Sequence, residues 1–166
     1  MKTISIDKVT LNIGVGEAGD KLNKAVKLLD SITECKSIQT KSKKRIPTWN
    51  IRPGLPIAAK VTLRREKAHK MAKRLFSAKG NILPAKKFDN HGNVSFGISE
   101  YLDIPDTKYD SEVGIIGLEA AITLKRPGYR VKQRMLKTTK VGKKQRITKE
   151  EAIEYFKKEY NLEVTQ

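Results

Sequence analysis

Gly14, Gly16 and Gly19 form a GxGxxG run placed directly after a strand pattern and directly before a helix pattern. In a dinucleotide-binding fold such glycines make the tight turn and let the backbone approach a pyrophosphate. Three features oppose that chemistry here. An acid is needed near the end of the second strand to hold the ribose, and that place reads Gln39-Thr40-Lys41-Ser42-Lys43. The second and third strands are joined by a long loop, not by a crossover helix. Nor can 166 residues hold six parallel strands, their helices and a substrate domain. The run reads as a tight strand-to-helix turn whose amides can also meet a phosphate.

Other reactive groupings are thin. His91 follows Asp89 and Asn90 in Phe88-Asp-Asn-His-Gly-Asn93, which suits a base beside its orienting carboxylate. The same Asp, Asn and Gly content is what a turn requires, and the turn is the preferred reading. Asp103, Asp106, Asp110 and Glu112 surround Pro105 and could gather magnesium for a nuclease. No rigid element fixes those oxygens, so a solvated loop is expected. His69 lies within a basic helical stretch and is expected to be exposed. Cys35 is the only cysteine, which rules out an internal disulfide and a cysteine-built zinc site. No nucleophile elbow and no paired catalytic acids emerge. The chain is expected not to be an enzyme, and to need no cofactor beyond magnesium carried by RNA.

Charge offers a different chemistry. Between Lys41 and Arg74 stand twelve Lys or Arg residues and one acid, Glu66. Between Lys125 and Lys149 stand eleven more and no acid. These tracts hold +22 against a net charge of +17, so the remainder of the molecule is mildly acidic. Charge placed this way is an electrostatic footprint for a polyanion, and nucleic acid is the expected partner. Neither tract has the apolar face of an interfacial helix, and no segment is long and apolar enough to span a membrane. The first residues, Met1 to Asp7, lack the apolar run of a signal peptide, so a reducing, cytoplasmic setting is expected.

The elements that must carry these groups follow from periodicity. Ile6 to Val15 alternates, with Ile6, Lys8, Thr10 and Asn12 on one side and Val9, Leu11, Ile13 and Val15 on the other. Asp20 can cap a helix running to about Glu34, with Leu22, Val26, Leu29 and Ile32 on one face. Short strands are predicted at Ser37–Thr40 and Ile57–Arg65. A helix over Glu66–Phe76 should bury Ala68, Met71, Ala72, Leu75 and Phe76. Strands follow at Asn93–Ser99 and Gly117–Leu124. Thr148 and Glu151 make a capping box for a closing helix. This order predicts an α+β domain with a mainly antiparallel sheet, a core body over 1–124, and a basic extension over 125–166.

The loop between the second and third strands is the most suggestive segment. Thr40-Lys-Ser-Lys-Lys-Arg45 leads into Ile46-Pro-Thr-Trp49-Asn-Ile-Arg52-Pro-Gly54-Leu-Pro56. Its three prolines stiffen it, and Gly54 allows a tight bend. A stiff basic projection with an aromatic ring suits a nucleic-acid surface, by stacking and phosphate contact. The alternative is that Trp49 folds back onto the core.

Five segments in order resemble the large-subunit ribosomal protein L-five family. They are Lys8-Val-Thr-Leu-Asn-Ile-Gly-Val-Gly-Glu17, Thr40-Lys-Ser-Lys-Lys-Arg45, Ile51-Arg-Pro-Gly-Leu-Pro-Ile57, Lys60-Val-Thr-Leu-Arg64 and Phe88-Asp-Asn-His-Gly-Asn-Val-Ser-Phe-Gly-Ile-Ser-Glu100. The resemblance runs to about Leu124. It implies a five-stranded antiparallel sheet with helices on one face, and a long basic hairpin. It also implies binding to 5S rRNA in the central protuberance, contact with 23S rRNA and neighbouring 5S-binding proteins there, and a hairpin that reaches the P-site tRNA. The basic extension from Lys125, and the absence of a helix before the first strand, are similar to archaeal members.

Carried over by position, the resemblance implies a 5S rRNA surface of Asn12, Thr40, Lys41, Ser42, Lys43, Lys44, Thr62 and Arg64. Alternation independently places Thr10, Asn12, Thr62 and Arg64 on polar strand faces. The tip, with Arg45, Trp49, Arg52 and Gly54, would face tRNA. The turn with Asn90, His91 and Asn93 would meet 23S rRNA.

Overall fold

A computed structural model describes residues 2–165, so Met1 and Gln166 lie outside the described residues. Ten-residue β1 (Ser5–Gly14) leads into α1 (Asp20–Thr33), then β2 (Ile38–Lys41) and β3 (Pro56–Leu63) form a hairpin. Next come α2 (Arg65–Ala78), β4 (Ile82–Pro84), β5 (Asn93–Ile98) and β6 (Leu118–Lys125). The chain closes with α3 (Lys149–Tyr160) and β7 (Glu163–Thr165). Five strands form one sheet in the order β2-β3-β1-β6-β5, and β4 and β7 form a second, parallel pair. The class is the α+β expected, with the sheet and helices where periodicity put them.

The residues divide into two compact units. One comprises 10–63 and 96–120. There β2 and β3 run antiparallel, with Ile38 opposite Lys60 and Thr40 opposite Ala58. Because β-strand side chains alternate, Ala59, Val61 and Leu63 point to one face of β3, and all three are buried. α1 packs against β3 and buries Leu22, Ala25, Leu28, Leu29 and Ile32. The opposite face of β3 carries Lys60 and Thr62, both exposed.

The other unit comprises 1–9, 64–95 and 121–166. Its core centres on Phe156 of α3, whose ring meets Phe76 edge-on at 5.4 Å and lies 6.0 Å from Phe88. α2 buries Ala68, Met71, Ala72, Leu75 and Phe76, the five residues that helical spacing selects. The Thr148–Glu151 capping box is present in both directions, side chain to amide each way.

Several expectations are corrected. Ile6 is buried although alternation puts it on the side of Lys8 and Thr10, so burial along β1 does not follow the alternation at this end and is decided by what packs over it. Asp20 is the first helical residue of α1, not its cap. Gly19 holds that place at φ 131°, which only glycine adopts without strain. Val26 is half-buried, and Ala25 and Leu28 carry the helix face instead. His69 is half-buried as well, its Nδ1 hydrogen-bonded to the Tyr160 hydroxyl at 2.9 Å. The β4–β7 pair was not anticipated, since three-residue strands have no periodicity to read.

Candidate nucleic-acid interface

In the hairpin unit, the polar face of β1–β3 presents Thr10, Asn12, Lys60 and Thr62 over a buried apolar layer. Asn12 donates to the carboxylate of Glu119 at 3.1 Å, which leaves its carbonyl oxygen and one N–H for a ligand. Thr62 is exposed with no protein partner among the described residues. Such neutral donors and acceptors suit 2′-hydroxyls and base edges.

Thr40 and Ser42 behave differently from their neighbours. The Thr40 hydroxyl donates to the Ala58 carbonyl at 2.9 Å, and the Ser42 hydroxyl donates to the Lys44 carbonyl at 2.8 Å. Both protons are therefore spent on the backbone, and these side chains can only accept from a ligand. Their work is to shape the run. A register shift between Thr40 and Lys41 and the bonded Ser42 turn leave Lys41, Lys43 and Lys44 exposed.

The tip beyond them is built, not loose. Ile46 and Ile51 exchange both backbone hydrogen bonds, at 2.9 and 3.1 Å, around a single 3-10 turn over Pro47–Trp49. Asn50 at φ 53° and Gly54 at φ 88° make the two reversals. Ile51 is only 5% exposed and anchors the tip, a role that the tip's polar composition hides. Trp49 is 70% exposed and does not fold back onto the core. Arg45 and Arg52 are exposed beside it.

The glycine turn is less open to phosphate than its motif suggests. The amides of Val15 and Gly16 both donate to the Ile57 carbonyl, at 3.0 and 2.9 Å. Their hydrogen bonds close the fold instead of facing solvent.

In the other unit, Asp89 accepts from the amides of His91 and Asn93, at 2.8 and 2.7 Å, and from the Asn93 side chain. Partial burial works against its charge, but the Asn93 and His91 donors outweigh that and hold the carboxyl below its usual range. The carboxylate orders a turn and does not orient the His91 ring. Gly92 is required twice over: its φ is 77°, and a Cβ there would lie 2.6 Å from Cγ2 of Ile147. Asn90 and His91 are exposed at the turn and Asn93 is half-buried. Arg64 is the residue that caps α2 rather than a strand residue, and it pairs with Asp7 at 3.5 Å.

A cleft of about 870 Å3 also lies in this unit. His91 and Asn93 line it together with Lys8 of β1 and the tail residues Arg130, Lys132 and Lys140. The tail's charge is evident from composition, but its place in this cleft depends on residues far apart in the chain. The acidic loop, by contrast, wraps Tyr101, whose hydroxyl accepts from the Asp110 amide at 3.1 Å. Among the described residues, no group of three His, Cys, Asp or Glu is placed to hold a metal ion.

Comparison with known proteins decides the family. The model of ribosomal protein L5 matches residues 1–52, and the model of that family's C-terminus matches residues 56–155. The chain belongs to the ribosomal protein L5 family. It is similar to the large ribosomal subunit protein uL5 of Nanoarchaeum equitans, at 52% identity over 99% of this chain and 97% of that one. Its identity to the uL5 protein of Sulfolobus acidocaldarius is 46%, over 99% and 92% of the two chains. The uL5 protein of Methanosphaera stadtmanae is also 46% identical, over 96% and 95%. As a ribosomal L5 protein it has a structural, non-enzymatic role. No helix among the described residues is long and apolar enough to cross a membrane.

Proposed function

We propose that this ribosomal protein, a constituent of the large subunit, holds 5S rRNA on the polar face of β1–β3. The observation that carries the reading is the division of labour on that face. Asn12 and Thr62 offer neutral hydrogen-bonding groups, while Thr40 and Ser42 hold Lys41, Lys43 and Lys44 out toward phosphate. Phosphate contacts fix position and the neutral groups give selectivity. Arg64, at the N-cap of α2, would add its guanidinium to the 5S rRNA contact, and the turn with Asn90, His91 and Asn93 is the surface for which 23S rRNA is the expected partner. Neighbouring 5S-binding proteins of the central protuberance would flank these surfaces. The tip with Arg45, Trp49, Arg52 and Gly54 is the element offered to P-site tRNA, since its ring and guanidinium groups are exposed on an anchored turn.

Titration of the full chain with 5S rRNA, in competition with tRNA and an unrelated structured RNA, tests the reading. If roughly five to eight phosphates are neutralised, affinity falls by orders of magnitude between low and moderate salt. Preference for 5S rRNA at every salt concentration is expected. Equal affinity for all three RNAs would reduce the protein to a generic RNA chaperone and remove the proposal.

A further inference from the structure

The tail that follows β6 is folded into a closed loop. At its base, Arg126 is buried and its terminal nitrogens donate to the Arg146 carbonyl at 3.4 Å and to the Glu151 carboxylate at 2.6 Å. Higher up, Tyr129 donates to the Gln145 carbonyl, and Gln145 returns a bond to the Pro127 carbonyl, both at 3.1 Å. The Thr139 amide donates to the Val131 carbonyl at 3.2 Å. These bonds give the tail's cations defined places on one wall of the 870 Å3 cleft.

What they leave is an unbalanced site. Lys8, Arg130, Lys132 and Lys140 line the cleft, and none is paired with an acid among the described residues. Asp7 is the acid in the lining, and it is already engaged by Lys125 at 3.1 Å and Arg64 at 3.5 Å. The Arg126 Nε–H is buried without an acceptor, although this residue also lines the cleft. An unmet buried donor is costly; sealed from solvent, it adds positive potential beside the cleft and makes no direct contact with a ligand. The same lining includes hydroxyl and amide groups from Ser5, Thr123, Thr139 and Asn93.

We propose that this cleft is a second RNA site, which seats a short single-stranded run of ribosomal RNA. Backbone phosphates lie against Lys8, Arg130, Lys132 and Lys140, and 2′-hydroxyls meet Ser5, Thr123 and Asn93. A cleft of the size that encloses a small ligand admits a few nucleotides and not the body of a duplex. RNA fits better than an acidic protein segment, because the lining combines cations with hydroxyl and amide groups that can address 2′-hydroxyls. The inference rests on the reading that the Asn90–Asn93 turn meets ribosomal RNA, and is independent of which RNA the β1–β3 face holds. It gives the tail a partner and makes the Asn90–Asn93 turn one wall of the same site.

The test uses the full chain and short oligouridine as probe, with polyglutamate of matched charge as competitor. The triple variant Arg130→Gln, Lys132→Gln, Lys140→Gln should bind oligouridine at least tenfold more weakly. Its log–log salt slope should fall by about 2, from about 0.7 per lost single-strand phosphate contact. Crosslinks from 4-thiouridine in the bound oligomer should map to the tail segment 128–140 and not to the β2–β3 hairpin. Circular dichroism melts check that the variant folds, as expected for exposed residues. Parent-like oligouridine binding by the folded variant would overturn the proposal, and so would equal binding of polyglutamate. The β1–β3 reading is scored separately, by 5S rRNA titration of Asn12→Ala.

Discussion

Asn12 on β1 donates a 3.1 Å hydrogen bond to Glu119 on β6, so an acid sits within the polar face that otherwise suits RNA. The bond fixes the orientation of the amide and leaves its carbonyl oxygen free to accept. Glu119 is exposed, and its pairing with Asn12 is neutral–anionic, with no cation paired to it among the described residues.

This relationship sets apart specificity from charge. Asn12→Ala should weaken 5S rRNA binding by about 1–3 kcal/mol and leave the salt slope unchanged, because a neutral amide releases no counterion. Lys43→Ala and Lys44→Ala should each lower the slope by up to about one unit and weaken binding to most RNAs alike. Fluorescence titrations across a salt series measure both quantities. Unaltered 5S binding by a folded Asn12→Ala protein would show that this face is not the site.

The tip separates into an anchor and a reader. Ile51, at 5% exposure, should cost about 2–4 kcal/mol when truncated to Ala, seen in urea melts. Trp49, at 70% exposure, should cost under about 0.5 kcal/mol when truncated, as exposed substitutions do. Ribosomes carrying Trp49→Ala should nevertheless lose P-site tRNA faster than the parent. A large stability loss from Trp49→Ala would make the ring a packing residue.

Gly92→Ala tests the turn beside the cleft. It places a Cβ at 2.6 Å from Ile147 Cγ2 and forces an L-residue to φ 77°. Strain and overpacking together should lower stability by about 2–4 kcal/mol. Differential scanning calorimetry of the variant reads that loss directly.

The Arg126–Glu151 pair, at 2.6 Å, predicts a pH dependence. The Thr148 amide first, and the Arg126 guanidinium after burial's opposing effect, pull the Glu151 carboxyl below its ordinary value of 4.5. A carboxyl whose folded pKa is depressed contributes stability above its unfolded pKa and loses it as pH falls through the folded one. Glu151→Gln keeps an acceptor for the Thr148 amide but leaves the Arg126 charge unpaired. At neutral pH it should cost about 1 kcal/mol, less than a fully buried pair because the Glu151 side chain is 38% exposed. The difference from the parent should shrink to nothing as pH falls well below 4.5. Urea melts across that range check the sign.

Features with short-range causes were legible before any coordinates. The α2 core residues Ala68, Met71, Ala72, Leu75 and Phe76 follow from helical spacing alone. So does the Thr148–Glu151 box, where both partners lie within one turn, and so does the Asp89 turn, whose donors are two and four residues away. The two basic tracts are facts of composition, and they sufficed to point to nucleic acid. Tertiary structure alone decided the rest, because each case rests on partners distant in sequence. The parallel pairing of Ile82 with Glu163 leaves no local trace in either three-residue strand. The burial of Ile6, the anchoring of Ile51 and the His69–Tyr160 bond all depend on what another segment brings to them. Lys8 and Lys140 have the same chemistry whether solvated or set into one cleft. Only the folding back of the tail brings them to the lining of one cleft.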